Sequence, residues 1–198
     1  MLKIGITGGI GSGKTTVCKM FHQLGVPVYS ADERGKELML EEPIRTQLIE
    51  AFGTESYSAE GSLNTKHLSD IVFQDPAKLQ KINAIVHPVV FNDFTEWCNK
   101  QTAPYVIKEA AIMLETVSRL TVDKIILVYA PKELRLQRVA DRDGSTNEEI
   151  LNRMSKQMPE EEKIKLVQYI IYNDGTASLT DQVNGLHRLF ISRSLILN

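Results

Sequence analysis

Eight residues, Gly8-Gly9-Ile10-Gly11-Ser12-Gly13-Lys14-Thr15, narrow what this chain can fold into more than any other feature. They satisfy G-x-x-x-x-G-K-[ST] in full. They stand between a short β-type run, Leu2-Lys3-Ile4-Gly5-Ile6-Thr7, and a stretch of helical composition from Lys14 to Leu24. Phosphate oxygens need several donors converging at short range. Glycines let backbone N–H groups turn inward without β-carbon clashes, and the positive end of the following helix adds to the attraction. A strand–loop–helix of this kind belongs at the carboxyl edge of a parallel sheet and points to a nucleoside triphosphate. Lys14 would reach the β- and γ-phosphates, and the Thr15 hydroxyl would coordinate the Mg2+ that bridges them. Thr16 is expected to begin the helix.

The rest of the chain is consistent with that start. Val26-Pro27-Val28-Tyr29 reads as a second strand and completes a β-α-β unit. From Asp32 to Lys100 the pattern is helical, with boundaries expected at Glu42-Pro43, Gly53, Gly61, Asp75-Pro76 and His87-Pro88. Tyr105-Val106-Ile107, Lys124 to Tyr129, and Tyr169-Ile170-Ile171-Tyr172 are apolar runs of strand length. Strands alternating with helices predict a parallel sheet covered on both faces. The expected organisation is a core of 1–31 and 101–198, with a helical unit at about 32–100 inserted between strands two and three.

At 198 residues there is room for one core with such an insertion, but little for two independent domains. The 23 basic and 25 acidic side chains leave a formal net charge of -2. No overall positive field therefore draws the chain to nucleic acid or an anionic membrane, and an anionic ligand must be held locally. Cys18 and Cys98 have neither metal-ligand nor redox-motif spacing, which fits buried thiols in a reducing compartment. The first residues pass directly into a strand, with no basic segment, long apolar run or cleavage site. Secretion and membrane spanning are therefore not expected, and a cytoplasmic location is.

Beyond the loop, the order of several features resembles the dephospho-CoA kinase family over nearly the whole chain. They are Thr7 to Thr16, Ala31-Asp32, Val72-Phe73, His87-Pro88, Glu115, the Arg138 to Asp143 segment, Gln157 and Asn173-Asp174-Gly175. The resemblance implies an α/β fold of the P-loop NTPase/kinase type: a three-layer sandwich with a five-stranded parallel sheet, a helical substrate-binding insertion and a small lid at about 138–157. It implies ATP and dephospho-CoA as substrates, phosphorylation of the ribose 3′-hydroxyl, Mg2+ as cofactor, and neither nucleic acid nor membrane as partner.

The resemblance also implies residue roles. ATP would be held by Gly9, Ile10, Gly11, Ser12, Gly13, Lys14, Thr15 and Thr16, with Arg142 from the lid and Asn173 and Gly175 near the adenine. Asp32, just past strand two, would orient or deprotonate the acceptor hydroxyl, although Ser30-Ala31-Asp32-Glu33 also reads as a capping box. Arg138 and Arg142, at i and i+4, would share a helix face and neutralise charge during transfer. Thr7, Asp32, His87 and Glu115 would contact the acceptor. Glu109 has no counterpart in the resemblance; by position alone it follows strand three, where an acid can order Mg2+ through water or contact the acceptor. A nucleotide or shikimate-type kinase would share the core and lid but not the insertion. A guanine-nucleotide switch would carry an Asn-Lys-x-Asp segment, which the sequence lacks.

Overall fold

The structure, a computed structural model, describes residues 1–196; the side chains at 73, 74, 195 and 196, Phe73 among them, lie outside the described residues. In chain order the first elements are β1 (Leu2–Thr7), α1 (Lys14–Gln23), β2 (Val28–Ser30), α2 (Ala31–Leu38), α3 (Ile44–Phe52), α4 (Thr65–Gln74) and α5 (Pro76–Asn99). There follow β3 (Tyr105–Glu109), β4 (Lys124–Tyr129), α6 (Lys132–Asp143), α7 (Asn147–Ser155), α8 (Glu160–Leu166), β5 (Tyr169–Tyr172) and α9 (Leu179–Ile196). The chain forms two compact units: Met1–Ser30 with the chain from Lys100 onward, and Ala31–Asn99.

The first unit is built on a five-stranded sheet in the order β2-β3-β1-β4-β5, and every pair is parallel, as the apolar runs predict. Ile4 stands opposite Ile107 on one side and Lys124 on the other, which makes β1 the central strand. Ile4, Ile6, Val106, Ile107, Ile126, Leu127 and Val128 are fully buried, because helices cover both faces. Val17 and Phe21 of α1 and Val183 and Phe190 of α9 join Ile4, Ile6, Ile107 and Ile126 in one apolar cluster. Chain order reverses across β1, since β3 and β4 flank it. The crevice beyond such a switch point, at the carboxyl ends of the strands, is where open α/β sheets place ligands.

The second strand is later and shorter than its apolar composition predicts. Val26 donates its N–H to Phe21, closing the end of α1, and Pro27 has no N–H to offer a ladder. Only the Pro27 carbonyl takes part, accepting from Ile107 at 2.9 Å, and regular pairing runs from Val28 to Ser30.

The second unit consists of α2 to α5, with one isolated bridge, Tyr57 to Leu63, among the described residues. The helix boundary expected at His87-Pro88 is absent, and α5 continues through Pro88. Val86, Val90, Phe94 and Cys98 recur every fourth residue as its buried stripe, and that burial outweighs the missing hydrogen bond. The proline and Ala84, whose carbonyl it leaves without an intrahelical donor, are both exposed, so water can satisfy that group. Asp75 Oδ1 accepts the Ala77 N–H at 2.9 Å, closing the start of α5 as the Asp75-Pro76 pair predicts. Among the described residues no helix is long and apolar enough to cross a membrane.

Candidate active site

The phosphate loop leaves β1 at Thr7 and curls over the start of α1. Ser12 donates its N–H to the Gly9 carbonyl at 3.0 Å, and the Lys14 ammonium donates to the Gly8 carbonyl at 2.7 Å, with the Gly9 carbonyl at 3.5 Å. The ammonium is thereby held at the loop. The helix starts at Lys14 rather than Thr16, with Gly13 as its N-cap at φ 95°. Gly13 is needed twice over: its left-handed φ disfavours a side chain, and a β-carbon there would collide with the Asn173 amide. Amides opening a helix have no acceptor within it, so those of Lys14, Thr15 and Thr16 present donors and the positive helix end. Thr15 and Thr16 are exposed, and Ser12 is fully buried.

Asn173, directly after β5, ties the far side of the loop. Its Nδ2 donates to the Ser12 carbonyl at 2.8 Å, and its own N–H donates to Tyr129 at 2.8 Å. Arg138 on α6 donates Nη2 to the Asn173 carbonyl at 3.0 Å, while its Nη1 is buried without a protein partner. Loop, β5 turn and α6 are thus linked through one asparagine. Gly175 follows in an exposed turn where Asp174 Oδ1 accepts the Thr176 N–H at 2.9 Å. Arg142, one turn later on α6, has a different partner. It is largely exposed and pairs with Asp143 at 2.6 Å, and Asp143 in turn pairs with Arg153 at 3.3 Å. Hydrogen bonding from Arg142 holds the Asp143 carboxyl below its usual range. Gly144 ends α6 in a left-handed turn, and Thr146 with Glu149 forms the capping box that begins α7.

Two residues expected to meet the acceptor also have partners within the protein. Thr7 is buried and donates its hydroxyl to the Ala111 carbonyl at 3.3 Å. Glu115 accepts the Met158 N–H at 2.9 Å and lies 3.7 Å from the Lys163 ammonium. Lys163, fully buried, is 3.4 Å from Glu160, and Glu160 is 3.9 Å from Arg135. Gln157, beside Met158, accepts the Ile10 N–H of the phosphate loop at 2.9 Å. Arg135, Gln157 and Glu160 also line a cavity of about 350 Å3 with Tyr129, Lys132 and Met154. The sequence carries no signal for this ion chain, because Glu160-Glu161-Glu162-Lys163 reads as a solvated helix face.

At the end of β3, Glu109 accepts from the Ser30 hydroxyl at 3.3 Å. It lies near Cys18, whose thiol is pushed up to about 12 by burial, with Glu109 raising it further and Lys14 opposing. The oxygens offered here, the exposed Thr15 hydroxyl and the Glu109 carboxylate, are hard donors of the kind that suit Mg2+. Among the described residues no three His, Cys, Asp or Glu side chains cluster as a metal cage. Asp32 and His87 belong to the second unit. Asp32 is exposed in the first turn of α2, directly after β2, and His87 is half-buried on α5.

Comparison with known proteins bears on this arrangement. The family model described as dephospho-CoA kinase matches residues 2–178. A dephospho-CoA kinase of Bacteroides fragilis is 39% identical over 184 residues, covering 92% of this chain and 89% of the relative. The crystal structure of TT1252 from Thermus thermophilus superposes with a TM-score of 0.86 at 33% identity, covering 95% of this chain and 96% of that one. Dephospho-CoA kinase from Campylobacter jejuni, at 24% identity and a TM-score of 0.68 over 96% of this chain and 98% of its own, shares the fold. With a matching family model along most of its length and a relative of this identity, the chain belongs to the dephospho-CoA kinase family.

Proposed function

We propose that this chain transfers the γ-phosphoryl group of Mg·ATP to the ribose 3′-hydroxyl of dephospho-CoA, giving coenzyme A and ADP. The observation that carries this is the complete phosphate loop, fixed between β1 and α1 by Lys14 and Asn173, in a member of the dephospho-CoA kinase family. In the reaction the acceptor oxygen bonds to the γ-phosphorus and the bond to the β,γ-bridging oxygen breaks. The hydroxyl proton passes to a carboxylate or to solvent. Because the transferring group is loosely bonded at the transition state, positioning and charge neutralisation carry most of the catalysis.

Roles follow from this reading. Loop amides and Lys14 neutralise the β- and γ-phosphates, and Asn173 and Gly175 border the adenine. Thr15, with Glu109 through water, would hold Mg2+, which would supply charge neutralisation at the phosphates. Asp32 orients or deprotonates the acceptor hydroxyl, while Thr7, His87 and Glu115 shape the acceptor side. The segment at about 138–157 acts as a lid that brings Arg138 and Arg142 onto the phosphates and excludes water. The acceptor side is carried by the helical unit, and the reaction takes place in the cytoplasm. Lys14→Ala and Asp32→Asn separate the two halves. The lysine variant should lose nucleotide-phosphate affinity together with about 10²–10³ in rate. The aspartate variant should keep ATP affinity and slow transfer by about 10²–10⁴. Full turnover by Asp32→Asn would reduce Asp32 to a helix-terminal acid.

A further inference from the structure

Gln157, with an ion chain behind it, braces the phosphate loop at Ile10. Ile10, in the middle of that loop, donates its N–H to Gln157 Oε1 at 2.9 Å, so this amide is engaged by protein. A β-carbon at Gly9 would meet Arg135 Nη1 and come within 2.7 Å of Glu160 Oε1, so a side chain there would have to displace both. Three side chains therefore press on two consecutive loop residues: a guanidinium, a carboxylate and an amide.

Each of the three is itself held. Arg135 is 8% exposed and donates Nε to the Ala130 carbonyl at 3.1 Å. Charges then alternate from Arg135 through the buried Glu160 and Lys163 to the partly exposed Glu115 at 3.9, 3.4 and 3.7 Å, two of each sign, which leaves the set neutral. Glu115 closes the chain by accepting the Met158 N–H, fixing the peptide that follows Gln157. A buried ionic chain gives little net stability over apolar packing of the same volume. It does give fixed direction, and here the direction is toward Gly9 and Ile10.

We infer that Gln157 is a positioning residue of the nucleotide site: it holds the Ile10 amide out of the phosphate nest, and the Glu115–Lys163–Glu160–Arg135 chain holds Gln157 and the wall against Gly9. This rests on the ATP-binding reading of the loop given above. It places the end of the 138–157 segment in contact with the loop through a single hydrogen bond.

The test compares Gln157→Leu, which removes the acceptor, with Gln157→Glu, which keeps an acceptor oxygen. Gln157→Leu should raise KM for ATP about 3- to 10-fold, the loss of one hydrogen bond, and leave KM for dephospho-CoA unchanged. In the ligand-free protein the Ile10 amide should exchange hydrogen faster by a similar factor, read by NMR, while the β1 amides keep wild-type rates. Gln157→Glu should restore the Ile10 exchange rate to near wild type, whatever its added charge does to ATP binding. Unchanged Ile10 exchange and unchanged ATP KM in Gln157→Leu would overturn the proposal. So would equal loss of affinity for both substrates with no recovery of Ile10 exchange in Gln157→Glu. Faster Ile10 exchange in a protein that never phosphorylates dephospho-CoA would uphold the brace and reject the acceptor assignment.

Discussion

Replacing Lys163 by methionine keeps the length of the side chain and removes only its charge, which isolates the buried ion chain from packing. Lys163 has no exposed surface, and its neighbours Glu115 and Glu160 retain 20% and 6% of theirs. Glu160 and Lys163 are three apart on α8, and an exposed pair at that spacing would contribute about 0.3–0.5 kcal/mol. Burial changes the scale. Without Lys163 the Glu160 carboxylate keeps only Arg135 at 3.9 Å, and its Oε2 already has no partner. Leaving one member of a buried pair uncompensated costs about 3–5 kcal/mol. For a chain of this length each kcal/mol lowers Tm by about 2–4 °C, so thermal unfolding of the variant should begin about 6–20 °C earlier. Urea denaturation at constant m-value checks the same quantity. The double variant Glu160→Gln, Lys163→Met should lose less than the sum of the two single changes, because it also removes the stranded carboxylate. A single-variant loss below about 1 kcal/mol would show that water reaches Lys163, and the buried chain would be refuted.

Two further outcomes concern titration and reactivity. The Asp143 carboxyl, held below its usual range by Arg142, should titrate below the ordinary aspartate value in a carboxyl NMR experiment, and Arg142→Gln should move it upward. Because its folded value is depressed, the pair supports the α6–α7 turn above the ordinary aspartate range, and that support fades as pH falls through the lowered value. The Cys18 thiol, pushed up to about 12, should resist iodoacetamide at pH 8 in the native protein and react on unfolding. Fast native alkylation of Cys18 would contradict its burial.

The sheet was legible because its strands are covered on both faces and so read as unbroken apolar runs. Lys124 to Tyr129 is the plainest case, with Ile126, Leu127 and Val128 fully buried. The loop was legible because its chemistry is local: glycines, Lys14 and Thr15 all lie within one turn. Features that depend on distant partners were not. Pro88 looked like a boundary, since the stripe of Val86, Val90, Phe94 and Cys98 that carries α5 past it acts only once the second unit packs. Glu160 and Lys163 have the composition of a solvated face, and only the fold brings Glu115 and Arg135 to them. Thr7 and Glu115 show the same limit, for the sequence placed them at the end of strands without revealing their bonds to Ala111 and Met158.

The measurement that reaches furthest is ADP release on mixing the protein with Mg·ATP and, in turn, dephospho-CoA, shikimate and nucleoside monophosphates, with the site of phosphorylation on any product read by NMR. A dephospho-CoA kinase should release one ADP per dephospho-CoA consumed, place the new phosphate on the ribose 3′-oxygen, and give only background with the other acceptors. ADP release that ignores dephospho-CoA, or that follows one of the other acceptors instead, would contradict the assignment.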